Sequence, residues 1–210
     1  MITVIDLEGE SPATLEAAMD RMGFGHCRAG RPGQAAAGGP IILAGCGPLE
    51  PACASLKRSG WWRELPQLAA DGRAVVGINL GLHLLAEDSE EAPRGGGLGL
   101  IPGIVRRLGP GVKAPHWGWS PVRQQRPHPL IPEIRGGWLF FAHSHALDPT
   151  TETHSIAVHG RPFAVVECRG RTLGIQAHLE KSGPFGLALL EKILQALGET
   201  PHWAPQEGWN

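Results

Sequence analysis

Three groups of residues in this chain have types and spacings that could do chemistry. Gly77-Ile-Asn-Leu-Gly81 follows an apolar run and leads into a helical pattern. In many α/β hydrolytic proteins such a turn lifts its middle residue, here Asn79, into solvent as the nucleophile, but a carboxamide is a poor nucleophile. His178 and Glu180 supply an imidazole and a carboxylate to orient it, the two groups an acyl-transfer site needs beside its nucleophile. Gly45-Cys-Gly47 offers a pliable backbone whose N–H groups suit an oxyanion, and Leu80 and His83 after the turn are further expected ligand contacts. Each group also has a purely structural reading. Glycines at a tight turn relieve crowding, and a His-x-Glu pair by itself is a weak signal. His143-Ser-His145 could place two imidazoles on one strand face and hold a metal with His178. No third ligand of fixed spacing supports that, and the expectation is a site with no metal and no cofactor.

The elements that would carry these residues follow from hydrophobic spacing. Ile2 to Ile5 reads as a strand; Ser11-Pro12 reads as an N-cap and first helical residue, and Leu15, Ala18, Met19 and Met22 form one apolar stripe before Gly23. Ile41 to Ala44 predicts a second strand, and a helix runs from Pro48 through Cys53 and Leu56. Residues 73–78 predict the next strand and Leu80 to Ala86 the next helix. From Gly95 to Leu139 the texture turns to glycine, proline, histidine and tryptophan with short β-like pieces. Trp138 to His145, Phe163 to Cys168 and Leu173 to Ala177 read as strands, and Phe185 to Leu197 as an amphipathic helix ended by Gly198. The pattern predicts an α/β fold with a mostly parallel central sheet flanked by helices and an additional β-rich segment. One domain over residues 1–200 and a loosely held tail, 201–210, complete the expected organisation. The polar candidates then crowd at the carboxyl ends of strands, where ligands of such sheets collect.

Bulk properties narrow the partners. A formal charge of −1 over 210 residues argues against nucleic acid. No apolar run reaches the roughly 18 residues a membrane span needs, and the acidic start MITVIDLEGE is unlike a secretion signal, so a soluble cytoplasmic protein is expected. Cys27, Cys46, Cys53 and Cys168 match neither a zinc ribbon nor a redox pair, and a mostly buried, reduced set is expected.

Eight pieces, in order, resemble one family over nearly the whole chain: Ile5-Asp6 with its glycine-containing loop, Gly45-Cys-Gly47, the Gly77 to Leu85 turn, Ser89-Glu-Glu91, Gly97-Leu-Gly-Leu-Ile-Pro-Gly103, Pro115-His-Trp-Gly-Trp119, Phe140-Phe-Ala-His-Ser144 and Gly174 to Ser182. The family is the glutaminase subunit of imidazole glycerol phosphate synthase, a class I glutamine amidotransferase that serves histidine biosynthesis. The resemblance implies that fold. It also implies that Asn79 stands where the family has a nucleophilic cysteine, while His178 and Glu180 match its catalytic histidine and glutamate. The surroundings depart as well: Leu82 and His83 replace methionine and glutamine, Ala177 and Leu179 replace phenylalanine and proline, Ala44 replaces a proline, and Leu7-Glu-Gly-Glu10 replaces an aromatic, two glycines and an asparagine.

Several changes together favour a naturally remodelled pocket over a single engineered replacement of the nucleophile in a functional amidotransferase subunit. The leading expectation is a catalytically silent amidotransferase-like subunit, a pseudoenzyme that binds a protein partner. In the resembling family the glutaminase docks on a β/α barrel synthase subunit with its active-site mouth at the interface, which implies Trp117, Trp119 and Lys181 as contacts here. Core packing is the other reading of the tryptophans. Two further functions stay open: a remodelled hydrolytic enzyme using Cys46 with His178 and Glu180, and a small-molecule binding module whose Asn79 holds an amide-bearing or anionic ligand.

Overall fold

The structure, a computed structural model, describes residues 1–92, 96–134 and 136–202. The amino-terminal part runs β1 (Ile2–Ile5), α1 (Ala13–Arg21), β2 (His26–Ala29), β3 (Ile41–Gly45), α2 (Leu49–Ser59), α3 (Trp61–Ala70), β4 (Val75–Asn79) and α4 (Leu80–Leu85). Then follow β5 (Asp88–Ser89), β6 (Ile104–Arg107), β7 (His116–Gln124), β8 (Gly137–His143), β9 (His145–Leu147), β10 (Thr153–His159), β11 (Arg161–Arg169), β12 (Thr172–Ile175) and α5 (Gly183–Ala196). Among the described residues these strands form a nine-stranded sheet, β2-β1-β3-β4-β12-β11-β10-β7-β8, and a three-stranded one, β5-β6-β9.

The large sheet has two halves with different sequence logic. Strands β2, β1, β3, β4 and β12 are parallel, and β1, β4 and β12 are buried at every position. A strand covered on both faces has no polar side, which is why these segments read as continuous apolar runs. Ile42, Val76 and Ile78 share a core with Leu15 and Met19 of α1 and Leu190 and Ile193 of α5. Ile41, Leu43 and Val75 face the other way, onto Leu49 and Leu56 of α2, Trp61 and Leu65 of α3 and Leu82 of α4. From β12 to β8 the pairing is antiparallel. Strand β7 alternates buried and exposed positions along much of its length, so this end of the sheet has one face in solvent.

Several expectations are corrected. Ser11 does not cap α1: the helix starts at Ala13 with Pro12 in the cap position and no side-chain cap bond. The edge strand β2 pairs with β1 alone among the described residues and is only partly buried, so it lacked the apolar run that marks its neighbours. The run Trp138 to His145 is two strands in two sheets, because the chain leaves β8 at Ser144 and its next residues pair with β6 as β9. Strand β10 was not expected from the sequence, its apolar stretch Ile156 to Val158 being short and flanked by histidines. The cysteines are all free, but only Cys53 and Cys168 are buried; Cys27 is half-buried and Cys46 exposed. Burial pushes the Cys168 thiol up to about 12, with Glu167 beside it adding to the effect. The start of the expected tail is tied down, His202 N–H donating to Gly23 O at 2.8 Å; the rest of it, 203–210, lies outside the described residues. No helix among the described residues is long and apolar enough to cross a membrane.

Candidate functional site

The turn from β4 into α4 is built by close packing. A Cβ on Gly77 would overlap the Gly81 carbonyl, and one on Gly81 would overlap Leu43 O in the adjacent strand, so both outer positions exclude any side chain. Between them Asn79 has φ 52° and ψ −105°, the one non-glycine residue with positive φ among the described residues. Such a conformation costs of order 1–3 kcal/mol and persists only where the surroundings dictate it. The strand-to-helix turn therefore holds its middle residue in a strained conformation, and that residue carries a carboxamide.

The carboxamide reaches a histidine. Asn79 Nδ2 lies 2.9 Å from His178 Nε2, and 3.2 Å and 3.5 Å from the carbonyl oxygens of Ala142 and Gln176. Those carbonyls set the amide's orientation, because turning it over would bring Oδ1 against two oxygens. The amide thus donates and Nε2 accepts. Nδ1 of His178 then donates to Glu180 Oε1 at 2.9 Å, and both ring nitrogens are engaged within the chain. The pair follows β12 on a short turn clamped to β8: His178 N–H donates to Phe140 O, Phe140 N–H donates to Ser182 Oγ, and the Ser182 hydroxyl donates to His178 O at 2.6 Å. Glu180 Oε2 has no hydrogen-bond partner and is buried.

Beside this cluster opens a cleft of about 440 Å³ lined by Cys46, Gly47, Asn79, His83, Glu91 and Trp117, among others. Its expected anion donors are already occupied. Glu10 Oε2 accepts from the N–H groups of Cys46, at 2.7 Å, and Gly47, at 3.1 Å. Glu91 accepts from Leu49 N–H at 3.0 Å and lies 3.5 Å from His83 Nδ1 and 3.7 Å from His145 Nδ1. Burial pushes the Glu91 carboxyl up, but the bonds from His83 and Leu49 and the nearby imidazoles outweigh it and leave it below the usual value. His83 Nε2 sits 3.1 Å from Gln176 Oε1. Leu80 does not reach the cleft, since its side chain packs in the core with Leu82 and Leu84. His178 and Glu180 border instead a small cavity of about 30 Å³ with Gly45, Cys46 and Lys181. A larger cavity of about 560 Å³ opens away from these strand ends, and its arginines are paired, Arg161 with Asp148 and Arg126 with Glu152.

The β7–β8 ladder forms one wall. Its inner face carries a relay: Ser120 Oγ is 3.0 Å from His116 Nε2, His116 Nδ1 is 3.1 Å from His143 Nε2, and His143 Nδ1 donates to His145 O at 2.9 Å. Burial, reinforced by nearby imidazoles, lowers His116 to about 4 and His143 to about 2. The three-histidine metal site weighed from sequence does not form, because the ring nitrogens of His143 and His178 are spent on these bonds. Among the described residues no group of three or more histidine, cysteine or acidic side chains could hold a metal ion. The outer face carries Trp117, 72% exposed, Trp119, 49%, and Trp138, 58%. Both Trp117 and Trp119 stand edge-on to Phe140, at 5.8 and 6.0 Å, so core packing is not their role. Lys181 is exposed. Sequence reasoning singled out neither Trp138 nor the carboxylates Glu10 and Glu91 as site groups; the departure of residues 7–10 from the family pattern was the available signal for Glu10.

No family model matches the chain. Among curated proteins it is 37% identical over 195 residues to the imidazole glycerol phosphate synthase subunit HisH of Moorella thermoacetica, covering 91% of this chain and 93% of that protein. It is 34% identical over 202 residues to the HisH subunit of Streptococcus gordonii, covering 95% and 98%. Among solved structures, a crystal structure of a glutamine amidotransferase matches with TM-score 0.74 at 17% identity over 94% of this chain and 98% of that one. PurLQS from Thermotoga maritima matches with TM-score 0.73, also at 17% identity, over 93% and 98%. These two likenesses establish the class I amidotransferase-like fold.

Proposed function

Since the chain belongs to the HisH family of class I glutamine amidotransferase-like subunits, we propose that it is a single-domain, non-catalytic subunit of that kind. It releases no ammonia from glutamine and acts by binding a protein partner. The observation that carries this reading is the 2.9 Å contact between Asn79 Nδ2 and His178 Nε2. Asn79 occupies the position at which the family presents its cysteine. A thiol there would hand its proton to Nε2 and attack the substrate amide as a thiolate. The carboxamide instead donates a hydrogen bond to the same nitrogen and has no proton to lose in this range, so the imidazole has nothing to activate. The retained elbow strain and the Glu180 contact support descent from a working triad.

The partner reading rests on the relatives' name, which makes each a subunit of a synthase, and on the exposed tryptophans beside the cleft. A β/α barrel synthase subunit is the leading partner, with Trp117, Trp119 and Lys181 at the contact and Trp138 added from the same face. A specific interface of this kind buries on the order of 1,200–2,000 Å² in total. An ammonia assay on the chain alone and with a β/α barrel synthase subunit is expected to give no turnover. Turnover abolished by His178→Ala would overturn the silent reading. Asn79→Cys alone is expected to restore little, because Leu82, His83, Ala177 and Leu179 have changed too. Light scattering at tens of micromolar tests assembly, and a strictly monomeric chain there would overturn the partner reading. Cys46 borders the small cavity with His178, but a relocated thiol would need the nitrogen that Asn79 holds.

A further inference from the structure

The chain crosses between its two sheets at Ser144, and the line of hydrogen bonds on the inner face of β7 and β8 ends at that crossing. Its last link fixes the direction of the others. His145 O can only accept, so His143 carries its proton on Nδ1 and donates it there at 2.9 Å. Nε2 of His143 is then bare, and at 3.1 Å it accepts from Nδ1 of His116. That leaves Nε2 of His116 bare in turn, and the Ser120 hydroxyl donates to it at 3.0 Å. Burial, with neighbouring imidazoles adding to it, keeps both rings neutral, lowering His116 to about 4 and His143 to about 2. The His116 ring is held in this orientation by stacking on Phe141, centroids 5.0 Å apart at 16°, and on His159, 4.1 Å apart at 11°. The far end of the line meets the cleft. Ala142 to His145 line it, and Leu108 N–H, just past β6, donates to Ser144 O at 2.9 Å. Strand β9 is three residues long and pairs with β6 alone among the described residues, so its own ladder holds the crossing weakly.

We propose that His116 is a positioning residue for the cleft wall: it holds His143 in the Nδ1–H tautomer, and His143 in turn pins the crossing at Ser144 that sets Ser144 and His145 along the cleft. His116 is not among the residues lining the cleft, so it acts there only through His143. The arrangement tolerates one pattern of protons. With its proton on Nε2, His143 would set donor against donor at His116 and leave Nδ1 facing His145 O, so one misplaced proton breaks two buried bonds. The role depends on neither glutamine turnover nor a partner.

Nitrogen NMR of the whole chain with isotope-labelled histidine reads the tautomers directly. At neutral pH both His116 and His143 are expected as Nδ1–H. In His143→Leu, His116 loses its acceptor and is expected to move its proton to Nε2, where Ser120 Oγ can accept it; a ring that only fills space would leave it on Nδ1. His116→Leu is expected to speed hydrogen exchange at the Leu108 amide, whose acceptor is Ser144 O, by about three- to tenfold, the range that loss of one hydrogen bond allows. His116→Asn places an amide N–H near the position of Nδ1 and is expected to restore slow exchange at Leu108 and Nδ1–H on His143; it also serves if His116→Leu does not fold. Either ring found as Nε2–H in the wild type overturns the proposal. So does His116 remaining Nδ1–H in folded His143→Leu, equal Leu108 exchange in the wild type and folded His116→Leu, or exchange in His116→Asn as fast as in His116→Leu.

Discussion

At the carboxyl ends of β4 and β12 the reactive groups are turned inward, each onto a partner from the same chain, whereas on the outer face of β7 and β8 three tryptophans stand in solvent without cover. The two regions touch: Phe140 meets Trp117 and Trp119 on one side and lies 6.4 Å from the His178 ring on the other. Their energetics run in opposite directions. In the first, Asn79, His178, Glu180, Glu10 and Glu91 exchange hydrogen bonds that leave little for a ligand, with Gln176 Nε2 and Glu180 Oε2 the buried atoms left over. In the second, large apolar area waits for something to bury it. The contrast teaches that one fold can satisfy its polar groups internally at one strand end while leaving a neighbouring apolar face unsatisfied, which is what the proposed silent, partner-binding role requires.

The largest effect that would break this comparison is at the elbow beneath the closed cluster. Gly81→Ala would drive a methyl group into Leu43 O, and backbone cannot move aside as a side chain can. The expected loss is about 3 kcal/mol or more in urea unfolding; a loss under 1 kcal/mol would mean that β3, β4 and α4 are not packed as described. On the open face, Trp117→Ala is expected to change stability by less than about 0.5 kcal/mol. It should still cost about 2 kcal/mol of association with the proposed barrel partner, more than tenfold in Kd. If instead stability falls and association is unchanged, the tryptophan belongs to the fold and the comparison collapses.

The buried side of the antiparallel half sharpens it through pH. Burial lowers His116 and His154 to about 4 and His143 to about 2, against an ordinary 6.5, with neighbouring imidazoles adding to the effect. Their folded values lie below the unfolded one, so the folded chain binds fewer protons between those limits. Their stabilisation is fully present above pH 6.5 or so and is lost as acid carries the pH toward the folded values, at up to about 1.4 kcal/mol per pH unit for each histidine. His154, buried with neither ring nitrogen bonded, isolates one of these contributions. His154→Leu is expected to lose about 1 to 2 kcal/mol less than the wild type between pH 7 and pH 5 in matched urea titrations, and equal losses would count against a neutral buried ring. The smallest effect concerns the strain at position 79. Asn79→Gly and Asn79→Ala both lose the bond to His178, but only glycine accepts φ 52° freely, so the glycine variant should be the more stable by about 1 kcal/mol.

How much of this was legible in the sequence follows from period and covering. The parallel strands announced themselves because two covered faces leave no polar position, as in Val75 to Ile78, whereas the expectation that Asn79 and His178 meet came from the family resemblance and not from the order of the strands in the chain. The elbow was legible because only glycine fits at 77 and 81. Strand β2 was not, since at the sheet edge it has no apolar run of its own, and β10 was missed because its run Ile156 to Val158 is short and flanked by histidines. The break at Ser144 was hidden because one strand-like run serves two sheets. The exposure of Trp117 and Trp119 had to wait for the structure, because a tryptophan in a strand has the same pattern whether its face is covered or bare.

The residue types at 79, 178 and 180, and with them the absence of a thiol from the elbow, were determined by sequence alone, since composition at a position needs no coordinates. That Asn79 donates to the very nitrogen a thiol would have used, and that Glu10 fills the turn at Cys46 and Gly47, was decided only by tertiary structure. Both contacts join residues far apart in the chain, 99 positions for Asn79 and His178 and 36 for Glu10 and Cys46. No local spacing rule reaches that far, because the direction of a side chain at a strand end is set by the neighbours that the sheet brings beside it.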